Sequence, residues 1–472
     1  MQIKKGKVYE LEVEEMAFGG KGITRIPTEE GNYVVFTPNT IPGQKVLTRV
    51  VKKRSKYAEG RVLRIVERSE MEEEIPYQGV SGAPYATLPL EKQRFYKERD
   101  SLGQFKKLKC DSVIDCFDRM IPSPVDWQYR NKMEYSFSAI TWDMDADESK
   151  DEFGLGFKKR GMWWAVENLD RPSGLFDLEF EKGLIRIKEW CEKTGLPPWH
   201  APRNHGFFRS LLVRRSFHQD RFLIALMTSS EGLSEFDQNG FIKLLHDLYP
   251  ERIAGIIHTI SDSQGDRFEY APEASTLIWG EDHLVEDLLG LNFKISLSSF
   301  FQTNPASAEV LYQKVIDLVE EHGKKGVILD MFCGTGTIGQ LLARNLDDAS
   351  VIGVDITPSS IADAQKNAEL NGISNVEFHA SDVGKFLNTR PELKGRIGCI
   401  VLDPPRNGVE GKALDKVIAL EAETIVYVSC NPATQARDTI RLQEAGYEPQ
   451  YYCLVDQFPH TAHVEGIAVF TR

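Results

Sequence analysis

Seven cysteines are spread along this chain, and one of them stands where it could act. Cys430 lies in Ser429-Cys430-Asn431-Pro432, directly after the apolar run Thr424-Ile425-Val426-Tyr427-Val428. That run reads as a strand, so Cys430 falls at a strand end, before the next helix pattern. A cysteine is a natural nucleophile for the electron-poor C6 of a uracil or cytosine ring. Addition at C6 makes C5 enolate-like and able to attack a methyl sulfonium. The C5 proton must then leave, which requires a base. Glu465, in His463-Val464-Glu465-Gly466, precedes the last strand and is the candidate. His460 and His463 read as structural.

A cradle for a nucleotide stands upstream. Gly334-Thr335-Gly336-Thr337-Ile338-Gly339 fits the G-x-G-x-x-G pattern between a strand and a helix. Gly334 and Gly336 let the backbone approach a ligand and turn N–H groups toward it. Asp355 ends the next strand and suits two ribose hydroxyls. Dehydrogenases share this signature. Two details favour S-adenosylmethionine over NAD. Asp330 ends the strand before the glycines, where a carboxylate suits the cationic methionine end and not a pyrophosphate. The unit also lies late in the chain and is followed by Asp403-Pro404-Pro405-Arg406. Paired prolines stiffen that loop and hold Asp403 and Arg406 at the carboxyl ends of the strands. Asp382 ends a third strand, where it either meets an adenine or caps a helix.

The elements that must position these groups form three stretches. At 472 residues the chain is long enough for two to four domains. Residues 1–66 show short alternating strands, Val8–Val13, Tyr33–Thr37 and Gln44–Val50, as in a small OB-like barrel. Glu67–Glu74 reads as an acidic linker. Residues 75–290 read as an α+β domain. Its helices are Leu90–Leu108, Gly183–Lys193 and Gly240–Leu248. Its strands are Tyr129–Ala139, Phe153–Lys158, Leu211–Ser216 and Phe222–Thr228. Residues 296–472 alternate strand and helix, as in a Rossmann-like α/β domain with a parallel sheet. The strands are Val327–Asp330, Val351–Asp355, Val376–His379, Ile397–Asp403, Thr424–Ser429 and Ile467–Phe470.

Net charge is −13, but it is segregated. Residues 1–65 carry 13 Lys/Arg against 7 Asp/Glu, a local +6 that leaves −19 for the rest. The cluster Lys52-Lys53-Arg54-Ser55-Lys56 fits a phosphate-gripping surface. Seven cysteines without a CxxC pair argue against a disulfide framework or a zinc site. No apolar run is long enough to span a bilayer, and Met1-Gln2-Ile3-Lys4-Lys5 lacks a signal-peptide core. A cytoplasmic protein is expected, a monomer without an obligate protein partner.

Together these motifs resemble the S-adenosylmethionine-dependent RNA uracil-C5 methyltransferases. The resemblance rests on Phe301-Gln302-Thr303-Asn304, Asp330 through Gly336, Asp403-Pro404-Pro405-Arg406-Asn407-Gly408, Ser429 through Pro432 and His463-Val464-Glu465. Residues 1–65 resemble the TRAM module, an RNA-binding barrel. Tyr129-Arg130-Asn131-Lys132 is similar to the family's central-domain signature. The resemblance implies a class I methyltransferase domain and S-adenosylmethionine contacts at Gln302, Phe332, Asp355 and Asp403. It implies Cys430 as the nucleophile, Glu465 as the base and RNA as the partner, ribosomal RNA ahead of tRNA. Thr337 stands where the family often has Asn. Many relatives hold an iron–sulfur cluster on cysteines, but Ile75, Ser81 and Pro84 occupy those positions here and Asn168–Gly174 offers no fourth. No cluster and no metal are expected. The rival activities are cytosine-C5 methylation, an NAD-dependent dehydrogenase and a non-catalytic RNA-binding factor. Cytosine enzymes place a second cysteine after the Asp-Pro loop, and this chain has none there.

Overall fold

A computed structural model describes residues 3–28, 31–143, 148–264, 271–409 and 411–472. The chain divides into two compact units. One holds Met1–Gln93, Asp126–Leu284 and Pro459–Ala462, and the other Arg94–Val125, Val285–Phe458 and His463–Arg472.

The first unit begins with six strands, Val8–Glu12, Glu15–Ala17, Lys21–Thr28, Gly31–Pro38, Lys45–Lys53 and Tyr57–Glu67. In the order of the sheet, the first and second of these lie at opposite edges. Only Val13 and Glu14 separate them in the chain, so the sheet must curl round on itself. Val13 N–H donates to Gln44 O at 2.8 Å, and Glu14 N–H to Ile23 O at 2.9 Å, at that closure. Alternation along Lys45–Lys53 sends Val46 and Val50 inward onto Leu11, Val35 and Ala58.

The rest of this unit is built on a seven-stranded mixed sheet. Its order is Val166–Asn168, Glu148–Lys158, Lys132–Asp143, Phe208–Ser216, Arg221–Thr228, Ile253–Ile260 and Ser275–Gly280. Arg221–Thr228 and Ile253–Ile260 run parallel because helix Gln238–Leu248 carries the chain across between them.

Residues 75–84 are held by hydrogen bonds centred on Gln78. Its Nε2 donates to Asn168 O at 2.6 Å, and its Oε1 accepts from Asp170 N and Arg171 N at 3.0 Å each. Its own N–H donates to Pro172 O at 2.9 Å. Ser81 N–H donates to Glu167 Oε2 at 3.0 Å. Gln78→Ala removes three side-chain bonds from one place. We expect a loss of about 2 kcal/mol in unfolding free energy, read as a lower urea midpoint with an unchanged m-value.

The second unit carries an eight-stranded sheet. Its order is Val376–Ala380, Ser350–Asp355, Val327–Met331, Ile397–Leu402, Thr424–Ser429, Glu465–Thr471, Glu448–Val455 and Phe117–Ile121. The first five are parallel, with apolar clusters on both faces. The expectation of a parallel sheet fails at Glu465–Thr471, which runs antiparallel to both neighbours. Strand Glu448–Val455 was not read from the sequence. Because it returns beside the last strand without a crossover helix, the last strand is forced to reverse.

Helix Leu90–Lys107 falls in this second unit from Arg94 onward, not with the α+β stretch. Lys97 makes a buried ion pair with Asp456 at 2.5 Å, and the Phe105 and Tyr452 rings pack tilted against each other with centroids 5.0 Å apart. In the first unit, His460 is structural. Its ring stacks on Trp127 at 3.6 Å, and its N–H donates to Gln93 Oε1 at 2.7 Å. Among the described residues, no helix is long and apolar enough to cross a membrane.

Candidate active site

The glycine-rich turn is shaped around a carboxylate. Asp330 lies in strand Val327–Met331 and is fully buried. Its Oδ2 accepts from Gly339 N at 2.8 Å. A Cβ on Gly339 would lie 2.9 Å from that same oxygen, so only glycine lets the helix start this close. Gly336 adopts φ +73°, and a Cβ there would meet the Phe378 ring at 2.4 Å. Gly334 N–H donates to Asp355 Oδ2 at 3.1 Å, and Thr357 N–H to Asp355 Oδ1 at 2.8 Å. Phe332, beside the turn, is held at φ +64°.

Asp330 Oδ1 has no hydrogen-bond partner although it is buried. An orphaned buried carboxylate oxygen beside a glycine cradle fits a ligand that brings a cationic group. Burial, with Asp403 and Asp355 nearby, pushes the Asp330 carboxyl up to about 7. Burial alone takes Asp403 to about 7 as well. A carboxyl raised on folding stabilises the fold below its unfolded pKa, and that contribution is lost as pH rises through its folded value. The ligand-free protein therefore loses stability between about pH 4 and pH 7, by up to about 4 kcal/mol from Asp330. Asp330→Asn keeps an acceptor for Gly339 and removes the titration. The gap between urea midpoints at pH 5.5 and pH 8 should narrow in that variant, with Asp403 accounting for part of what remains.

Cys430 follows strand Thr424–Ser429, and Glu465 opens strand Glu465–Thr471. Ser429 and Gly466 are register partners across the antiparallel pair. One step beyond, Cys430 and Glu465 therefore face each other, where opposed Cα atoms lie about 4.5–5.5 Å apart. Gln435 Nε2 staples the two strands, donating to Tyr427 O at 2.9 Å and Gly466 O at 3.2 Å. Asn431 caps helix Pro432–Glu444 through Ala433 N, and its Nδ2 donates to Arg406 O at 3.0 Å. That bond ties the loop after Asp403 to the loop bearing Cys430. Tyr427 Oη and Val409 N both donate to Asp438 Oδ2, at 2.7 and 2.9 Å, and complete the support.

The electrostatics bind the same groups together. Burial first, then Glu465 and Asp403, push the Cys430 thiol up to about 11, with Arg406 opposing. Burial and Asp403 hold the Glu465 carboxyl well above its usual range, again with Arg406 opposing. Cys430 is therefore a thiol at neutral pH in the ligand-free protein.

The structure brings Asp330, Asp403, Cys430 and Glu465 to one crevice at the carboxyl ends of the strands. Tyr312 joins them from helix Pro305–His322. It is hydrogen-bonded to Gln302, and burial beside Asp403, Glu465 and Asp330 raises its hydroxyl far above the ordinary value. Gln457 Nε2 donates to Gln302 Oε1 at 3.4 Å and to Asn304 O at 3.2 Å. Neither Tyr312 nor Gln457 was found from the sequence. Tyr312 sits among Ala308, Leu311 and Val315 on the buried helix face, and its type does not set it apart from core. Asp382 is exposed and caps helix Val383–Thr389, its Oδ1 accepting from Lys385 N at 3.0 Å. Thr337 is buried as the first residue of helix Thr337–Asn345.

Known proteins match this arrangement. Residues 277–472 match the tRNA (uracil-5-)-methyltransferase family model, and residues 2–63 match the TRAM domain. A Clostridium tetani protein described as an uncharacterized RNA methyltransferase is 35% identical over 479 residues, covering 100% of this chain and 99% of that protein. A Clostridium acetobutylicum protein of the same description is 34% identical, with 100% and 99% covered. The crystal structure of the Pyrococcus abyssi tRNA (uracil-54, C5)-methyltransferase with S-adenosyl-L-homocysteine shares the fold. Its TM-score is 0.70 at 24% identity, covering 98% of this chain and all of that one. With relatives this similar along its whole length, the chain belongs to the TRAM-bearing RNA methyltransferases of the tRNA (uracil-5-)-methyltransferase family.

Proposed function

We propose that this protein methylates C5 of a uridine in RNA, with S-adenosylmethionine as donor and a covalent Cys430–C6 bond as intermediate. One observation carries the reading: Cys430 and Glu465 oppose each other across an antiparallel pair, in a crevice shared with Asp330 and Asp403. A nucleophile and a base on the same edge of a cofactor crevice suit addition, transfer and elimination at one ring.

Asp330, with its orphaned oxygen, would hold the cationic methionine end. Asp355 would accept the ribose hydroxyls, with Gly334 and Gly336 beside it. Gln302, Phe332 and Asp403 would complete the cofactor contacts. Asp382 would meet the adenine only with the carboxylate capacity left by its cap. S-adenosylmethionine bound there supplies an electrophilic methyl group to C5.

Cys430 gives its proton to solvent, and its thiolate sulfur bonds to C6, moving the ring electrons onto C5 and O4. After C5 has gained its methyl group, Glu465 takes the C5 proton. The C5–C6 double bond re-forms as the C6–S bond breaks, and the thiolate returns to Cys430. A raised carboxyl is a stronger base than an ordinary one once ionised. A cationic ligand in the crevice favours that ionised form.

The substrate is assigned to ribosomal RNA on the strength of the TRAM module, with tRNA as the second reading. The Pyrococcus neighbour, a tRNA enzyme of the same fold, favours that second reading. The test is labelled methyl transfer to unmodified ribosomal RNA and to tRNA, followed by mapping of the modified uridine. Label confined to tRNA would reverse the assignment. Label at cytidine, or in neither RNA, would remove the proposal.

A further inference from the structure

Gln457 ends in an oxygen that the protein does not satisfy. Its side chain is fully buried, and its Oε1 has no hydrogen-bond partner among the described residues. The orientation of the amide is fixed by its other end. Nε2 donates to Asn304 O at 3.2 Å, and a backbone carbonyl can only accept, so Oε1 must face the other way.

The residue cannot relax to find a partner. Asp456 N–H donates to Ile121 O and Gln457 N–H to Val455 O, both at 2.9 Å. Gln457 O accepts from Asn304 Nδ2 at 3.0 Å, and Phe458 O from Lys97 Nζ at 2.9 Å. Asp456 is locked in turn by Lys97 at 2.5 Å and Arg94 at 3.2 Å. A buried acceptor held this firmly and left open fits a ligand that brings a donor.

Strand register shows which ligand. Ser429 opposes Gly466 and Val455 opposes Glu465, so Cys430, Glu465 and Val455 stand in one row across three strands. Gln457 follows two residues past Val455, at the end of the sheet that carries the thiol and the base. Its Nε2 also donates to Gln302 Oε1 at 3.4 Å. Gln302 is hydrogen-bonded to the Tyr312 hydroxyl, which shares electrostatic contact with Asp403 and Glu465. In the order of the sheet, the strand of Asp330 comes first, then those leading to Asp403 and Cys430, then those of Glu465 and Gln457. Gln457 therefore stands beyond the thiol and the base from the glycine turn, on the side of the reacting ring and not of the cofactor. A pyrimidine bonded to sulfur at C6, with C5 at Glu465, turns its C4–N3 edge onward from the thiol. Uracil carries a donor at N3, whereas cytosine has a bare acceptor there.

We propose that Gln457 Oε1 accepts a hydrogen bond from N3–H of the target uracil, which makes Gln457 a specificity residue of the reaction. The inference rests on the reading of uridine-C5 methylation and adds which atom of the base is read.

The test is methyl transfer to the RNA in which the modified uridine is mapped, prepared with uridine or N3-methyluridine at that position. The N3-methyl group removes the donor and leaves C5 and C6 free to react. Wild-type kcat/KM should fall about 100-fold or more on the N3-methyl substrate, which sets a methyl group against a buried acceptor. Gln457→Ala should be about 5- to 150-fold slower than wild type on uridine. It removes the acceptor and opens room, so N3-methylation should cost it less than about tenfold. A urea midpoint reports whether the variant is folded, and the wild-type comparison stands without it. Equal wild-type rates on the two substrates would overturn the inference. So would the same substrate ratio in Gln457→Ala as in wild type, the result expected if Oε1 holds only a buried water. Absence of wild-type transfer to any uridine would instead defeat the proposed reaction, and this inference with it.

Discussion

Cys430→Ala should lose methyl transfer by at least about 10⁴-fold, on the order of what removal of a covalent nucleophile costs. The fold should survive, because Cys430 is only half-buried and bonds none of the strands together. Cofactor affinity, read by calorimetry, should stay near wild type. The loss is large because no neighbour can replace sulfur at C6. Asp403 and Glu465 are the acids that act on Cys430, and both are oxygen acids that leave a ring too readily to hold it. The same chemistry sets the pH dependence. With the thiol at about 11, roughly one molecule in 3,000 carries a thiolate at pH 7.5. The kcat/KM of the wild type should therefore climb between pH 6 and pH 9, up to tenfold per unit, as the thiolate fraction of Cys430 grows. A flat profile over that range would contradict the electrostatic picture of the crevice. Full methyl transfer by Cys430→Ala would end the covalent mechanism.

Glu465→Gln should stall after methyl transfer. The variant keeps the size of the side chain and removes the base. Steps up to C5 methylation do not require that base, whereas elimination does. Turnover should fall by about 10²- to 10⁴-fold, the usual range for a general base. A methylated protein–RNA adduct should accumulate, stable in denaturing gels and carrying label from both RNA and methyl donor. The double variant Cys430→Ala/Glu465→Gln should form none. The buried position makes the stall sharper. Glu465 is only 4% exposed, so bulk water has little access to take the proton instead. Normal turnover by Glu465→Gln would show that another group removes the proton. Tyr312 and Asp403 are then the nearest candidates, because both share electrostatic contact with this crevice.

Much of this site was legible in the residues themselves. The glycine turn, Asp330, Asp355 and the Asp-Pro-Pro loop are local signals, since each motif carries its own backbone instruction. The helix Leu90–Lys107 was legible as a helix but not in its membership. Its partner Asp456 lies over 350 residues away, and no local pattern records such a pairing. Asp382 shows another limit. A carboxylate at a strand end before a helix serves equally as a cap or as a ligand contact, and the cap is a bond the fold itself supplies.

The sequence alone determined the chemistry on offer: a thiol at one strand end, a carboxylate at the start of another, and a glycine cradle upstream of both. It could do so because residue type and nearest neighbours suffice for reactivity. Only the tertiary structure decided that Cys430 and Glu465 meet. Strand alternation implied a parallel sheet, in which the start of the last strand would lie at the opposite edge from the end of Cys430's strand. Strand Glu448–Val455 returns directly beside Glu465–Thr471 and reverses it, which sets Gly466 against Ser429 and the carboxylate against the thiol. The ionisation state was likewise decided by burial. Burial raises Asp330, Asp403, Glu465 and the Cys430 thiol, and the Asp403 charge adds to the shift at Asp330, Glu465 and Cys430, an effect of distance in space that no spacing along the chain contains.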